Sequence, residues 1–152
     1  PIASSAASDV YKRQYKSNIG IVKTKNAIKE SEKVISLFDV KTPGTNTLAT
    51  ALSGGNQQKF VVGRELEDNP SLLIASQPTR GIDIGAQALI WEKLRTTRDQ
   101  GLSVLLISAD LEELIGLSDR IIVFYQGRLV KELNAENVTP EDLGGYMTGL
   151  KK

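Results

Sequence analysis

Apolar residues recur along this chain at two spacings, one helical and one continuous. Ala86, Leu89, Ile90 and Leu94 stand at i, i+3, i+4 and i+8, so they share one helical face, and Gly101 follows the predicted end. Ala27 to Val40 reads as an earlier helix whose apolar face holds Ile28, Val34, Ile35, Leu37 and Phe38. Thr42-Pro43-Gly44-Thr45 breaks it. A further helix is predicted from about Gly54 to Glu67, with Phe60, Val61, Val62 and Leu66 as its buried stripe and Asn69-Pro70 as its stop. Leu72 to Ala75 and Val104 to Ile107 are short continuous apolar runs, the pattern of strands buried on both faces of a parallel sheet. Leu111 to Leu117 reads as a short helix. Ile121 to Tyr125 and Leu129 to Leu133 flank Gln126-Gly127-Arg128 as a hairpin, and Pro140 opens a last helix through Met147. Strands alternating with helices predict an α/β layered fold.

Composition narrows the chemistry. The 152 residues suffice for one domain with a core. With 19 basic and 18 acidic residues the formal net charge is +1, which argues against nucleic acid as the main partner, since phosphate backbones need a basic surplus on one face. Cysteine is absent, so disulfides and thiolate metal sites are excluded. Histidine is absent too, which removes the commonest general base and metal ligand. No apolar run approaches the ~18 residues that cross a bilayer, and no signal-peptide pattern opens the sequence. The expected place is the cytoplasm, with membrane association only through a partner.

Pro1 to Gln14 fits neither period. Ser4 to Gln14 resembles the peptide obtained when a sequencing adaptor is translated, and residues 1–14 are expected to be non-native, with a natural flexible linker as the alternative. Residues 15–152 then form the domain proper.

The most informative stretch is Leu52-Ser53-Gly54-Gly55-Asn56-Gln57-Gln58-Lys59. Ser53 suits a helix N-cap, and Gly54 and Gly55 leave no side chain between the backbone and an approaching ligand. Backbone N–H groups and the positive end of the helix dipole would face an anion, above all a phosphate. The plainer reading of Ser-Gly-Gly is a turn and a cap. Three later segments favour phosphate: Ser76-Gln77-Pro78-Thr79-Arg80-Gly81-Ile82-Asp83, Leu105-Leu106-Ile107-Ser108-Ala109-Asp110-Leu111-Glu112-Glu113, and Ser118-Asp119-Arg120-Ile121. In that order, the four segments resemble the signature motif, the Walker B and D-loop segment, the switch region and the following strand of ATP-binding cassette (ABC) ATPases, in the branch that serves bacterial importers of simple sugars and nucleosides. The resemblance covers roughly Ile28 to Gly149.

It implies a P-loop NTPase domain of the ABC ATPase type: a mostly parallel sheet flanked by helices, with part of the helical subdomain. It also implies roles. Ser53, Gly54, Gly55 and Gln57 would meet the γ-phosphate of ATP held by a facing domain, and Asp83 at the D-loop position would reach across the same interface, although it could equally just cap the helix that follows. An active site of this family needs an aspartate for Mg²⁺ and an adjacent glutamate to polarise water. Ser76 and Gln77 occupy those two positions, and Ala109 occupies the position of the switch histidine. Glutamine can orient a water but cannot take its proton, and losing a positioned base costs ~10² to 10⁴ in rate. The site is therefore expected to be degenerate and to hold no metal.

No G-x-x-x-x-G-K-[ST] occurs in the sequence. The family places that loop upstream of the signature, so the chain reads as the C-terminal part of a second nucleotide-binding domain, cut near Tyr15, and inactive alone. The longer protein would bind ATP and Mg²⁺. Its expected partners are a first nucleotide-binding domain in the same polypeptide, transmembrane permease subunits and, indirectly, a solute-binding protein, which puts it on the inner face of the plasma membrane. Two other readings stay open: a regulatory module that holds ATP without turnover, and a soluble ABC ATPase of translation or DNA repair. The second should show a basic surface, zinc-type cysteines or long coiled-coil insertions.

Overall fold

Thr24–Leu37 forms the first helix, α1, of a computed structural model that describes residues 24–67 and 70–151. The expectation for residues 1–14 lies outside these. Val34 is buried on α1, and Phe38 and Val40 are buried just past its end. Ile28 and Leu37, predicted on the apolar face, are exposed. The helix stops three residues before Val40 for a local reason. Asp39 takes a left-handed backbone with φ 47°, and the Val40 N–H turns back to the Ile35 carbonyl at 3.0 Å. That is the six-to-one bond of a Schellman ending, which satisfies a terminal carbonyl and buries the next apolar residue.

A short 3-10 turn, Ala49–Ala51, leads to α2, Gly54–Glu67. Its buried residues are Gly55, Val62, Gly63 and Leu66. The predicted stripe is thus corrected at Val61, which is exposed. Gly63 takes its place, because α1 approaches α2 closely there. A Cβ at Gly63 would lie 2.7 Å from both Phe38 Cδ2 and Val34 Cγ1.

The chain divides into two units between Glu67 and Asp68. In the second, β1 (Leu72–Ser76) and β2 (Ser103–Ile107) pair in parallel, Leu72 opposite Ser103 through Ser76 opposite Ile107. Between them runs α3, Ile84–Asp99, which buries Ala86, Ile90 and Leu94. This is a βαβ unit, read correctly from its periods. After β2 come α4 (Leu111–Leu117), β3 (Arg120–Tyr125), β4 (Arg128–Asn134) and, past a 3-10 turn at Ala135–Asn137, α5 (Pro140–Met147). Strands β3 and β4 are antiparallel. Their two-residue turn has φ of 47° at Gln126 and 74° at Gly127, the double left-handed geometry that matches strand twist. Ile121, Val123, Ala135 and Leu143 form a core against which Leu111, Leu114 and Met147 pack.

One expectation fails. Strands β1 and β2 are not buried on both faces. Leu72, Ile74, Leu105 and Ile107, which the register places on one face, are exposed, Ile74 by 61% and Leu105 by 51%. No described element covers that face. The two sheets also stay separate. A cleft of about 870 Å³ runs along β2 and β3, lined also by Leu94, Leu114 and Leu143.

Candidate functional site

The predicted site residues fall into two places, one in each unit. The first is the start of α2. Ser53 Oγ accepts from the Asn56 side-chain amide at 2.9 Å and from the Asn56 backbone N–H at 3.4 Å, so the predicted capping role is present in loose form. The Gln57 side chain donates to the Leu52 carbonyl at 2.9 Å. Asn56 Oδ1 takes the Lys41 backbone N–H at 2.8 Å, which fixes the loop after α1 beside this helix turn. Gly54 is exposed and Gly55 buried. Among the described residues, no acceptor takes the backbone N–H of either glycine. Lys59 Nζ donates to the Asp39 carbonyl at 3.3 Å. The hydrogen bond from Lys41 holds the Asp39 carboxyl below its ordinary value, against an opposing effect of burial. The helix start thus keeps unclaimed backbone donors, an arrangement that suits an anion.

The second place is the carboxyl end of the parallel pair. Ser76 ends β1 opposite Ile107, the last residue of β2. The Gln77 N–H donates to the Ile107 carbonyl at 2.8 Å and the Arg80 N–H to the Gln77 carbonyl at 3.2 Å. Gln77 is held at φ 50°, a left-handed backbone that a non-glycine residue reaches only at a cost. Ala109 follows β2 and is exposed, as is Ser76. The fold therefore brings Ser76, Gln77 and Ala109 to neighbouring strand ends, the edge where open parallel sheets bind ligands. Asp83 caps α3, its Oδ1 accepting from the Ala86 N–H at 2.9 Å. The capping role weighed for it is real.

The donor set at these strand ends does not fit Mg²⁺. Serine and glutamine carry no charge, and among the described residues no three Asp, Glu, His or Cys side chains gather to hold a metal. A phosphate does fit the start of α2, where Ser53, Gly54 and Gly55 could present donors.

Two residues escaped the sequence reading. Asn56 looked merely polar, yet it braces the start of α2. Glu113 stood in the sequence only as the end of the segment resembling the switch region, yet it is 1% exposed. Its Oε1 accepts from Thr79 Oγ1 at 2.6 Å and from Trp91 Nε1 at 3.1 Å.

No protein-family model matches the chain. Individual relatives do. It is 47% identical over 139 residues to the guanosine import ATP-binding protein NupO of Bacillus subtilis, covering 91% of this chain and 27% of that protein. It is 38% identical over 148 residues to the nucleoside import ATP-binding protein NupA of Lactococcus lactis, covering 97% and 29%. To the glucose import ATP-binding protein TsgD13 of Haloferax volcanii it is 46% identical over 121 residues, covering 78% and 22%. Among solved structures, the dimeric bacterial ABC transporter cassette MJ0796 superimposes with a TM-score of 0.62 at 24% identity, over 70% of this chain and 46% of that one. An inward-facing putative metal-chelate type ABC transporter does so with a TM-score of 0.71 at 15% identity, over 90% and 55%. Spanning about a quarter of the length of the curated relatives it matches, the chain belongs to the family of sugar and nucleoside import ATP-binding proteins and has the fold of part of an ABC ATPase cassette.

Proposed function

We propose that this chain is part of the ATP-hydrolysing subunit of an ABC importer for simple sugars or nucleosides, and that it serves an ATP site other than its own. Ser53, Gly54 and Gly55 would close over the γ-phosphate of ATP bound to a facing nucleotide-binding domain. The observation that carries this reading is the start of α2, where two glycine N–H groups have no described acceptor behind a capping Ser53. Helix dipole and free donors together favour negative charge there.

The opposite holds at the strand ends. Ser76 cannot hold a metal by charge, Gln77 cannot accept a proton from water, and Ala109 offers neither a donor nor an acceptor in its side chain. No hydrolytic step runs through these three. In the complete subunit, one competent and one silent site would alternate between closed and open around ATP, and permease subunits would follow that motion. Asp83 would add a cross-interface contact besides its cap.

The test is steady-state ATPase activity of the longer subunit, reconstituted with its permease. Gly54→Asp puts a carboxylate where the phosphate docks, so turnover should fall by ~10² or more. Gln77→Ala alters a site without a base and should cost less than about threefold, well under the ~10² of a lost general base. If Gln77→Ala abolishes turnover while Gly54→Asp is tolerated, the two sites are assigned the wrong way round.

A further inference from the structure

Glu113 is one of the most deeply buried side chains of the second unit, at 1% exposure, and the proposed function gives it no task. Burying a carboxylate is costly unless donors surround it. Two donors do, from different elements. Thr79 lies in the turn after β1, and Trp91 lies on α3. Among the described residues no lysine or arginine forms an ion pair with Glu113, so these two hydrogen bonds compensate its burial.

These bonds close a ring. From Glu113 Oε1 the ring passes to Thr79 Oγ1. Close by in the same turn, the Arg80 N–H bonds the Gln77 carbonyl, and the Gln77 N–H bonds the Ile107 carbonyl. The chain continues to Ser108, whose Oγ accepts the Asp110 N–H at 3.0 Å. Asp110 Oδ1 in turn accepts the Glu113 N–H at 3.0 Å. Gln77 lies on this ring, and the Ser108–Asp110 bond spans Ala109. Trp91 adds a strut from α3, and Arg95, one helical turn on, stacks 5.8 Å from the Trp91 ring centre and donates to the Gly116 carbonyl at 3.0 Å.

We propose that Glu113 is a positioning residue: its buried carboxylate ties the turn after β1 to α4, so that Gln77 and Ala109 move as one body. A rearrangement at either strand end is then passed to the other through Thr79 and Glu113 rather than absorbed locally. That those ends face nucleotide rests on the function proposed above. The ring itself does not, and nucleotide-free protein tests it alone.

The experiment is residue-resolved amide hydrogen exchange on the 152-residue chain, comparing Thr79→Val with Thr79→Ser. Valine keeps the shape and loses the hydroxyl. Serine keeps the hydroxyl and loses a methyl. The expected result is exchange about tenfold faster in Thr79→Val at Gln77 and also at Glu113 and Leu114 of α4, with Thr79→Ser within about twofold of the parent. Trp91 is the only tryptophan, so its emission reports whether each Thr79 variant is folded, and far-UV circular dichroism does so for Trp91→Phe. A purely packing role predicts the reverse order, serine worse than valine, and that order overturns the proposal. So does faster exchange confined to the Gln77 turn. Should Thr79→Val fail to fold, Trp91→Phe removes the other donor. Faster exchange at both Glu113 and Gln77 then supports the ring, and a change restricted to α3 and α4 refutes it.

Discussion

Replacing Gly63 by alanine should destabilise the α1–α2 pair, although alanine is the better helix former. The two effects can be weighed from the geometry. In a helix interior, glycine to alanine gains about 1 kcal/mol of propensity. Against that, the new Cβ would sit 2.7 Å from Phe38 Cδ2, 2.7 Å from Val34 Cγ1 and 2.9 Å from Phe38 Cγ. Both neighbours are themselves core residues, Val34 at 3% and Phe38 at 4% exposure, so neither has open space to retreat into. Inserting a carbon into such a contact costs about 1–3 kcal/mol. Three contacts under 3 Å argue for the upper half of that range, leaving a net loss of about 1–2 kcal/mol. The assay is native-state amide exchange along α2, where a loss of about 1.4 kcal/mol appears as tenfold faster exchange. Gly116→Ala on α4 is the control of opposite sign. Its Cβ would meet Trp91 Cζ3 at 3.6 Å and Arg95 Nη2 at 3.7 Å, ordinary contacts, so the propensity gain of about 0.5–1 kcal/mol should survive and α4 should exchange more slowly. Slower exchange in α2 of Gly63→Ala would refute the close approach of α1, and with it the account of how the start of α2 is held.

Three more outcomes follow. The 152-residue chain should bind Mg-ATP no better than millimolar and turn none over, because it lacks a lysine-bearing phosphate loop and carries Ser76, Gln77 and Ala109 at the strand ends; calorimetry giving micromolar affinity would contradict this. The chain should self-associate through the exposed Leu72, Ile74, Leu105 and Ile107 face, and Ile74→Thr with Leu105→Thr should shift its sedimentation toward monomer, whereas a monodisperse monomer with a sharp melt before any change would count against it. Asp142 is held below its ordinary 3.8 first by the hydrogen bond from Lys151 and then by that from Thr139, so its support of the α5 start is complete above 3.8 and is lost as pH falls through the lower folded-state value; a carboxyl titration midpoint at or above 3.8 would rule that out.

Helices α2 through α5 were legible because each carries its own period and its own punctuation. Asp83, Asp110 and Thr139 cap α3, α4 and α5 through their side chains, and a cap is a local event that a local pattern can reveal. The end of α1 was not legible. Val40 fits the apolar face and is buried, but it reaches burial by a Schellman turn at Asp39, and nothing marks aspartate rather than glycine for that backbone. The stripe of α2 was misplaced by one residue for a related reason. Hydrophobicity ranks Val61 above Gly63, whereas the approach of α1 selects the residue without a side chain. The strand runs were found in place, but their burial was inferred from apolarity, and apolarity records what a face requires, not whether the described residues supply it.

The candidate site divides along the same line. Ser53, Gly54 and Gly55 announce themselves, because a capping serine before two glycines has a backbone meaning at short range. The strand-end residues could be placed only by counting from apolar runs, and there the parallel register confirms the neighbourhood of Ser76 and Ile107 while adding what no pattern contains, the left-handed Gln77 between them. Glu113 is the instructive case. Three residues after a capping aspartate, an acid in the first turn of a helix has a sufficient local explanation in the dipole. Its burial depends on Thr79 and Trp91, 34 and 22 positions earlier, and a donor brought in by tertiary packing leaves no mark beside the residue that receives it. A charged side chain that already satisfies a local rule is therefore the hardest to recognise as a linker between elements. Thr79 carried the better clue: an apolar strand followed by Pro78 and a threonine that the fold buries to 8% exposure requires an acceptor from elsewhere, and the only question left to the structure was which one.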